Sequence, residues 1–307
     1  MAKPTPVRDL QATTPMDEAA RAFLSARLGD VQRQLGKLGP RLGSEQVHDA
    51  RVASRRLRAV IAMFGDGKRV RRADRVVREL QGALGEVRDL HVQLDGIGAM
   101  ADEASPLERT ALRHVREQLS TQLPARMDAL MAALRRWERR GLEALGDLER
   151  LGPKGKLGGH RIRERLIADL ETLEARVIDA QQDPSATPMH ELRKSTKRYR
   201  YSLELLGPAM PTEVKEILGS LIPLQESLGS LHDTDVRISL VDRHGDASTQ
   251  GTDGVLQRLR TERDRLAQET LRALESWEEE AVALRAQVML SASPLKRGGR
   301  TPDGDRG

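Results

Sequence analysis

Residues 47–65, "VHDARVASRRLRAVIAMFG", and residues 189–207, "MHELRKSTKRYRYSLELLG", align without a gap. His48 matches His190, Arg51 matches Arg193, and Arg55 matches Lys197. Arg56, Arg58 and Gly65 match Arg198, Arg200 and Gly207. On a helix, at about 100° per residue, each segment separates into two faces. In the first, Ala53, Leu57, Val60, Ile61 and Phe64 share an apolar arc, and His48, Arg51, Arg55 and Arg58 share another. In the second, Leu192, Tyr199, Leu203 and Leu206 form the apolar stripe. His190, Arg193, Lys197 and Arg200 form the matching row, with Tyr201 beside it. Arg56, Lys194 and Arg198 flank the rows on their other side. Each helix thus has one face for a core and a neighbouring face that sets a histidine and three cations in line.

A second matched pair follows each of these. "LQGALGEVRDLHV" (80–92) and "LQESLGSLHDTDV" (224–236) share Leu, Gln, Leu, Gly, Asp and Val in register. Helical spacing runs through nearly the whole chain, and no strand pattern interrupts it. Eight helices are expected, near 16–37, 45–64, 69–98, 106–145, 159–182, 188–206, 211–243 and 253–290. Turn-forming stretches such as "GPRLGS" (39–44) and "GPAMPT" (207–212) separate them. Four helices per half, repeated, imply an all-α fold of two four-helix bundles related by pseudo-twofold symmetry. The expected halves are 15–151 and 159–291, joined by a Gly- and Lys-rich linker at 152–158. The ends, 1–14 and 292–307, are rich in Pro, Gly, Thr and charge and read as disordered tails.

Composition agrees with helix. Only six of 307 residues are aromatic, which leaves Leu, Ala and Val to build the cores. Cysteine is absent, so disulfides and thiolate chemistry are excluded. No apolar run reaches the roughly 20 residues that span a bilayer, and the first residues have no apolar signal core. The expectation is a cytoplasmic protein that makes no use of a membrane. Of 51 basic residues only nine are lysine. Arginine presents a planar fork of donors that suits phosphate.

Each basic row covers ten residues, about 15 Å at the helical rise. A row of that length suits a linear polyanion better than one small phosphate. Ser44 and Thr187 read as N-caps and Pro188 as a first helical residue, which puts each histidine in a first turn where the helix dipole favours an anion. A solvated face laced with salt bridges would give the same stripe. Few acids stand three or four residues away to neutralise it; Asp49, Glu191 and Glu204 are the main candidates. Asp89 and Asp233 could orient the arginines, or be plain surface acids. Gly85 and Gly229, inside helices, suggest close approach of a neighbouring helix. The histidines lack metal-ligand spacing, and no HExxH is present. A phosphohistidine carrier would need one exposed histidine rather than two among many cations.

The paired His-x-x-Arg-x-x-x-(Arg/Lys)-Arg-x-Arg helices, each followed by a leucine-glycine helix ending in "RDLHV" or "HDTDV", resemble the CHAD family, named for its conserved histidine α-helical domain. The resemblance extends over about 15–290. It implies two four-helix bundles with a basic groove or pore between them. It also implies binding of inorganic polyphosphate and association with polyphosphate granules. The groove would be lined by His48, Arg51, Arg55, Arg56 and Arg58, and by His190, Arg193, Lys194, Lys197, Arg198, Arg200 and Tyr201. Two positions depart from the family pattern: His91 stands where a second acid is usual, and His232 stands where the first half has Arg88. Some family members carry a fused catalytic domain with glutamates alternating on strands. No such pattern occurs here, so binding without catalysis, and without a cofactor or metal, is expected. The alternative partner is nucleic acid, held by its phosphate backbone. Against it, single-strand binding favours aromatic platforms, and only Tyr199 and Tyr201 lie near the rows.

Overall fold

The computed structural model describes residues 3–39, 42–65, 67–149, 154–208, 211–245 and 251–291. The described residues are helical apart from turns and one isolated bridge between Pro15 and Lys156. The helices are α1 (Met16–Leu35), α2 (Ser44–Phe64), α3 (Gly67–Asp102), α4 (Pro106–Ser120), α5 (Leu123–Glu149), α6 (His160–Gln182), α7 (Ala186–Leu206), α8 (Pro211–His244) and α9 (Gly251–Ser291). In the first half α1 packs on α2, α2 on α3, α3 on α5, and α5 touches α1. In the second half α6 packs on α7, α7 on α8, and α8 on α9.

The apolar arcs read from the sequence are the buried ones. Ala53, Leu57, Val60, Ile61 and Phe64 of α2 are buried, as are Leu192, Tyr199, Leu203 and Leu206 of α7. Burying a side chain of this size contributes roughly 1.5–3 kcal/mol, and that offsets the entropy of ordering long helices. The repeated helices also meet across the halves: α2 touches α7, and α3 touches α8. The duplicated segments therefore build the junction, and their charged rows lie along it.

One expected helix is two. The run expected at 106–145 breaks at Thr121 and Gln122, giving α4 and α5. Pro124 explains the break, because it has no N–H for the Ser120 carbonyl and fits only a first turn. The split frees α4 to leave the first half. A capping box of Ser105 and Glu108 starts it. Its buried Leu112, Val115 and Leu119 then join Leu90 and Ile97 of α3 with Val255, Leu256 and Leu259 of α9 in a second core. That core bridges the halves, and the Arg258–Glu108 pair at 3.4 Å adds to it.

The N-terminal stretch expected as a disordered tail, 1–14, is held down over its described part. The Thr5 amide and hydroxyl donate to the Asp30 carboxylate, and Arg27 donates to the Thr5 carbonyl at 2.9 Å. Leu10 is buried. The physical reason lies on α1. Arg27 and Asp30 are buried charges that need partners. Burial alone would raise the Asp30 carboxyl, but the hydrogen bonds from Thr5 and Arg27 outweigh it and hold it low. The same stretch receives the segment between the halves: the Leu157 amide donates to Thr14 at 2.9 Å and the Gly158 amide to Ala12 at 2.8 Å. Of the expected linker, 154–158 is described, and Leu157 is buried. The expected C-terminal tail, 292–307, lies outside the described residues.

Candidate functional site

The helix starts differ from expectation. Gly43 caps α2, and Ser185 precedes α7. Ser44 and Thr187 are helical, and Pro188 is the third residue of its helix. The Ser44 hydroxyl instead accepts a hydrogen bond from Arg88 of α3 at 2.5 Å. Nothing in the sequence of α2 alone could have shown that partner.

Five of the expected residues come together at the junction. Arg51 and Arg55 from α2 lie within electrostatic reach of Arg193 and Lys197 from α7, and Tyr201 lies within reach of Arg51. Two carboxylates answer these three guanidiniums and the lysine. Asp89 of α3 accepts from Arg51 at 2.6 Å. Asp233 of α8 faces Arg193 and Lys197. Burial pushes the Asp233 carboxyl up, against the pull of Arg193, Arg237 and Lys197, so it is a weakened counter-charge. The Nε groups of Arg51 and Arg193, at matched positions, are buried and donate to no described group. Burial, together with Arg193, Arg55 and Arg51, drives the Lys197 ammonium down to about 6. The site thus holds more positive charge than its own acids neutralise, in a place where water helps little.

The other expected residues stand at its edges. Arg58 donates to Asp74 of α3 at 2.8 Å and to Gln81 at 3.4 Å. Arg200 donates to Glu204 at 3.0 Å and to Gln225 at 3.3 Å. Arg198 pairs with the buried Asp169 of α6. Lys194 pairs with Glu191 at 2.5 Å. Arg56 reaches across the halves to Glu204 at 3.5 Å. Expected as groove-lining cations, Arg58, Arg198, Arg200, Lys194 and Arg56 each meet a carboxylate. Glu191 and Glu204 stand at helical spacing on α7, as the sequence suggested, whereas Asp74 and Asp169 lie on other helices, where spacing does not show them.

The histidines add no charge to the rows. Burial, aided by Arg88, keeps His48 below its ordinary range, and burial with Lys194 and Arg193 does the same to His190. The ring of His190 lies 4.6 Å from that of His232 on α8, with Nδ1 atoms 3.2 Å apart. One of the two must donate and the other accept, so at least the accepting ring is neutral. His232 falls to about 4 through burial, Arg193, His190 and Lys197. Its matched position in the first half is Arg88, beside His48.

Several contributors escaped the sequence reading. Gln81 and Gln225 occur in the shared "LQ" pairs and make the same contact with Arg58 and Arg200. Arg237 lies over Gly96, where an added Cβ would meet its guanidinium at 2.6 Å. At Gly85 the expected close approach is made by the Arg51 side chain of α2: a Cβ there would touch the guanidinium at 3.4 Å. Gly229 has nothing within 4 Å of such a Cβ, so the expected close approach is absent there. Among the described residues no group of His, Asp and Glu could hold a metal ion, and no helix is long and apolar enough to cross a membrane.

The family model for the CHAD domain matches residues 22–242, both repeated pairs included. This chain belongs to the CHAD family. Solved structures agree in fold. The CHAD domain from the plant Ricinus communis is 23% identical, with a TM-score of 0.63 over 94% of this chain and 96% of that one. PptA from Streptomyces chartreusis is 16% identical, with a TM-score of 0.61 over 87% of this chain and all of the other. No curated protein matches the sequence significantly. The CHAD match includes α2, α3, α7 and α8, the four helices that carry the cationic cluster.

Proposed function

We propose that this chain binds inorganic polyphosphate, without catalysis, at the junction of its halves, and that it associates with polyphosphate granules. The observation that carries the reading is the cluster of Arg51, Arg55, Arg193 and Lys197, in which Lys197 is driven down to about 6. A bound polyanion would supply the missing negative charge and accept from the free Nε groups of Arg51 and Arg193. Polyphosphate has about one charge per unit and no bases. It therefore needs arginine forks and not stacking platforms. Family membership supports the same ligand, since the sequence resemblance implied it.

Replacing Arg51, Arg55, Arg193 and Lys197 together with glutamate is expected to abolish polyphosphate binding in an equilibrium titration, with the helical circular dichroism retained. Unchanged affinity in that variant would move the site elsewhere. Binding by the natural sequence should weaken steeply with salt, as counterion release requires. Release of orthophosphate from polyphosphate in the presence of Mg²⁺ would overturn the non-catalytic part.

A further inference from the structure

The first thirteen residues of α3, "GKRVRRADRVVRE" (Gly67–Glu79), include six basic and two acidic residues. Both acids are engaged from other helices. Asp74 accepts from Arg58 of α2 at 2.8 Å, and Glu79 lies 3.7 Å from Arg136 of α5. Arg72 is paired with Glu143 of α5 at 3.2 Å. Val70, Ala73, Val77 and Leu80 bury the inner face. Lys68, Arg71, Arg75 and Arg78 stand on the opposite face, all exposed. Their steps of three, four and three residues are those of His48, Arg51, Arg55 and Arg58. Among the described residues, none of the four has a carboxylate partner. A row of unshared cations about 15 Å long repels itself, and an extended anion would relieve it.

The row joins the inner site at one point. Arg58 ends the cationic line on α2, and its partner Asp74 sits between Arg71 and Arg75 on α3. We propose that Lys68, Arg71, Arg75 and Arg78 form an outer track that continues the inner site and holds the emerging part of a long linear polyphosphate. This rests on the reading of the inner cluster as a polyphosphate site. A chain longer than the inner row must leave the junction, and this face is its charged exit. Each further phosphate contact adds affinity through counterion release. The track is one-sided. The matching stretch of the second half, "PTEVKEILGSLIP" (211–223), contains one basic and two acidic residues.

The test titrates tripolyphosphate and long-chain polyphosphate, with duplex DNA as a control, against the full chain and its Arg71→Glu/Arg75→Glu/Arg78→Glu variant. The expected result is a loss of about tenfold or more for the long chain, with a shallower salt slope and unchanged tripolyphosphate binding. Unchanged long-chain affinity overturns the proposal. So does an equal loss on both probes, or a loss seen only with duplex DNA. The inner variant, Arg51→Glu with Arg193→Glu, runs in parallel. If it keeps tripolyphosphate binding, the inner-site reading fails, whatever the outer variant does.

Discussion

The two halves of the chain share their inner faces and differ on their outer ones. Arg51 and Arg193 occupy matched positions, each with a buried Nε donor left open and an acid of the next helix nearby, Asp89 or Asp233. Arg58 and Arg200 each reach the glutamine of the shared "LQ" pair. Outside the junction the match ends. Asp74, which anchors Arg58, falls opposite Leu218, so Arg200 turns to Glu204 within its own helix. The six cations of early α3 have one counterpart lysine in early α8. A shared ancestry would leave both faces equally free to drift. What persists in both halves is the part that faces the other half, as the proposed shared site requires.

The first way to break that comparison is to cripple one half at a time. Arg51→Glu/Arg55→Glu and Arg193→Glu/Lys197→Glu should each weaken polyphosphate binding by about 100-fold or more, since each removes two charge-assisted contacts. Similar losses mean one shared site. If either variant binds as tightly as the natural sequence, the halves do not act together.

A second break lies in the one chemical difference between the rows, Lys197 opposite Arg55. A lysine can shed its proton where an arginine cannot. With Lys197 at about 6, its amine is neutral at pH 7 in the free protein. Arg193 on α7, Arg55 and Arg51 on α2, and Asp233 on α8 face it. A bound polyanion favours the ammonium and raises that value. Binding above about pH 6 should therefore take up a proton, seen as a calorimetric heat that changes with buffer ionisation. Lys197→Met should remove most of that uptake. The sign for stability follows from the same shift. The unfolded lysine stays protonated to about pH 10.4, so this group makes the empty protein gain stability as pH rises above about 6. Below that the cost of a buried ammonium is fully present. His232 acts in the same direction between its ordinary range and about 4. Melting curves of Lys197→Met should show a smaller difference between acidic and alkaline buffer. An unchanged difference would mean that Lys197 titrates normally.

The third and smallest effect separates the two glycines. Gly229→Ala enters open space inside a helix and should stabilise the chain by about 1 kcal/mol. At Gly85 a Cβ already touches the Arg51 guanidinium, so the bulk of Gly85→Leu should displace that side chain and weaken binding more than it lowers the melting temperature. Equal behaviour of the two positions would mean that Arg51 does not depend on the α3 backbone.

The helical class, the duplication and the apolar faces of α2 and α7 were legible because they are periodic and local. So were the rows, since three- and four-residue steps place their members together. Partners across helices were legible only where the second repeat carries them, as Asp89 does for Arg51; the others were not. Asp74, Asp169 and Arg88 lie far along the chain from the groups they meet, and no spacing rule links them. The break between α4 and α5 was in reach: Pro124 marks it, and the strong apolar spacing on either side hid it. The N-terminal stretch misled by composition, because its Thr5 serves the buried Arg27 and Asp30 of α1.

The most direct test of the account is competition. Duplex DNA is bound to the full chain at low salt, and long-chain polyphosphate is added at matched phosphate concentration. The account predicts that polyphosphate displaces the DNA, because a flexible bare phosphate chain can enter the junction and reach Arg51 and Arg193 together. DNA that stays bound under those conditions would contradict it.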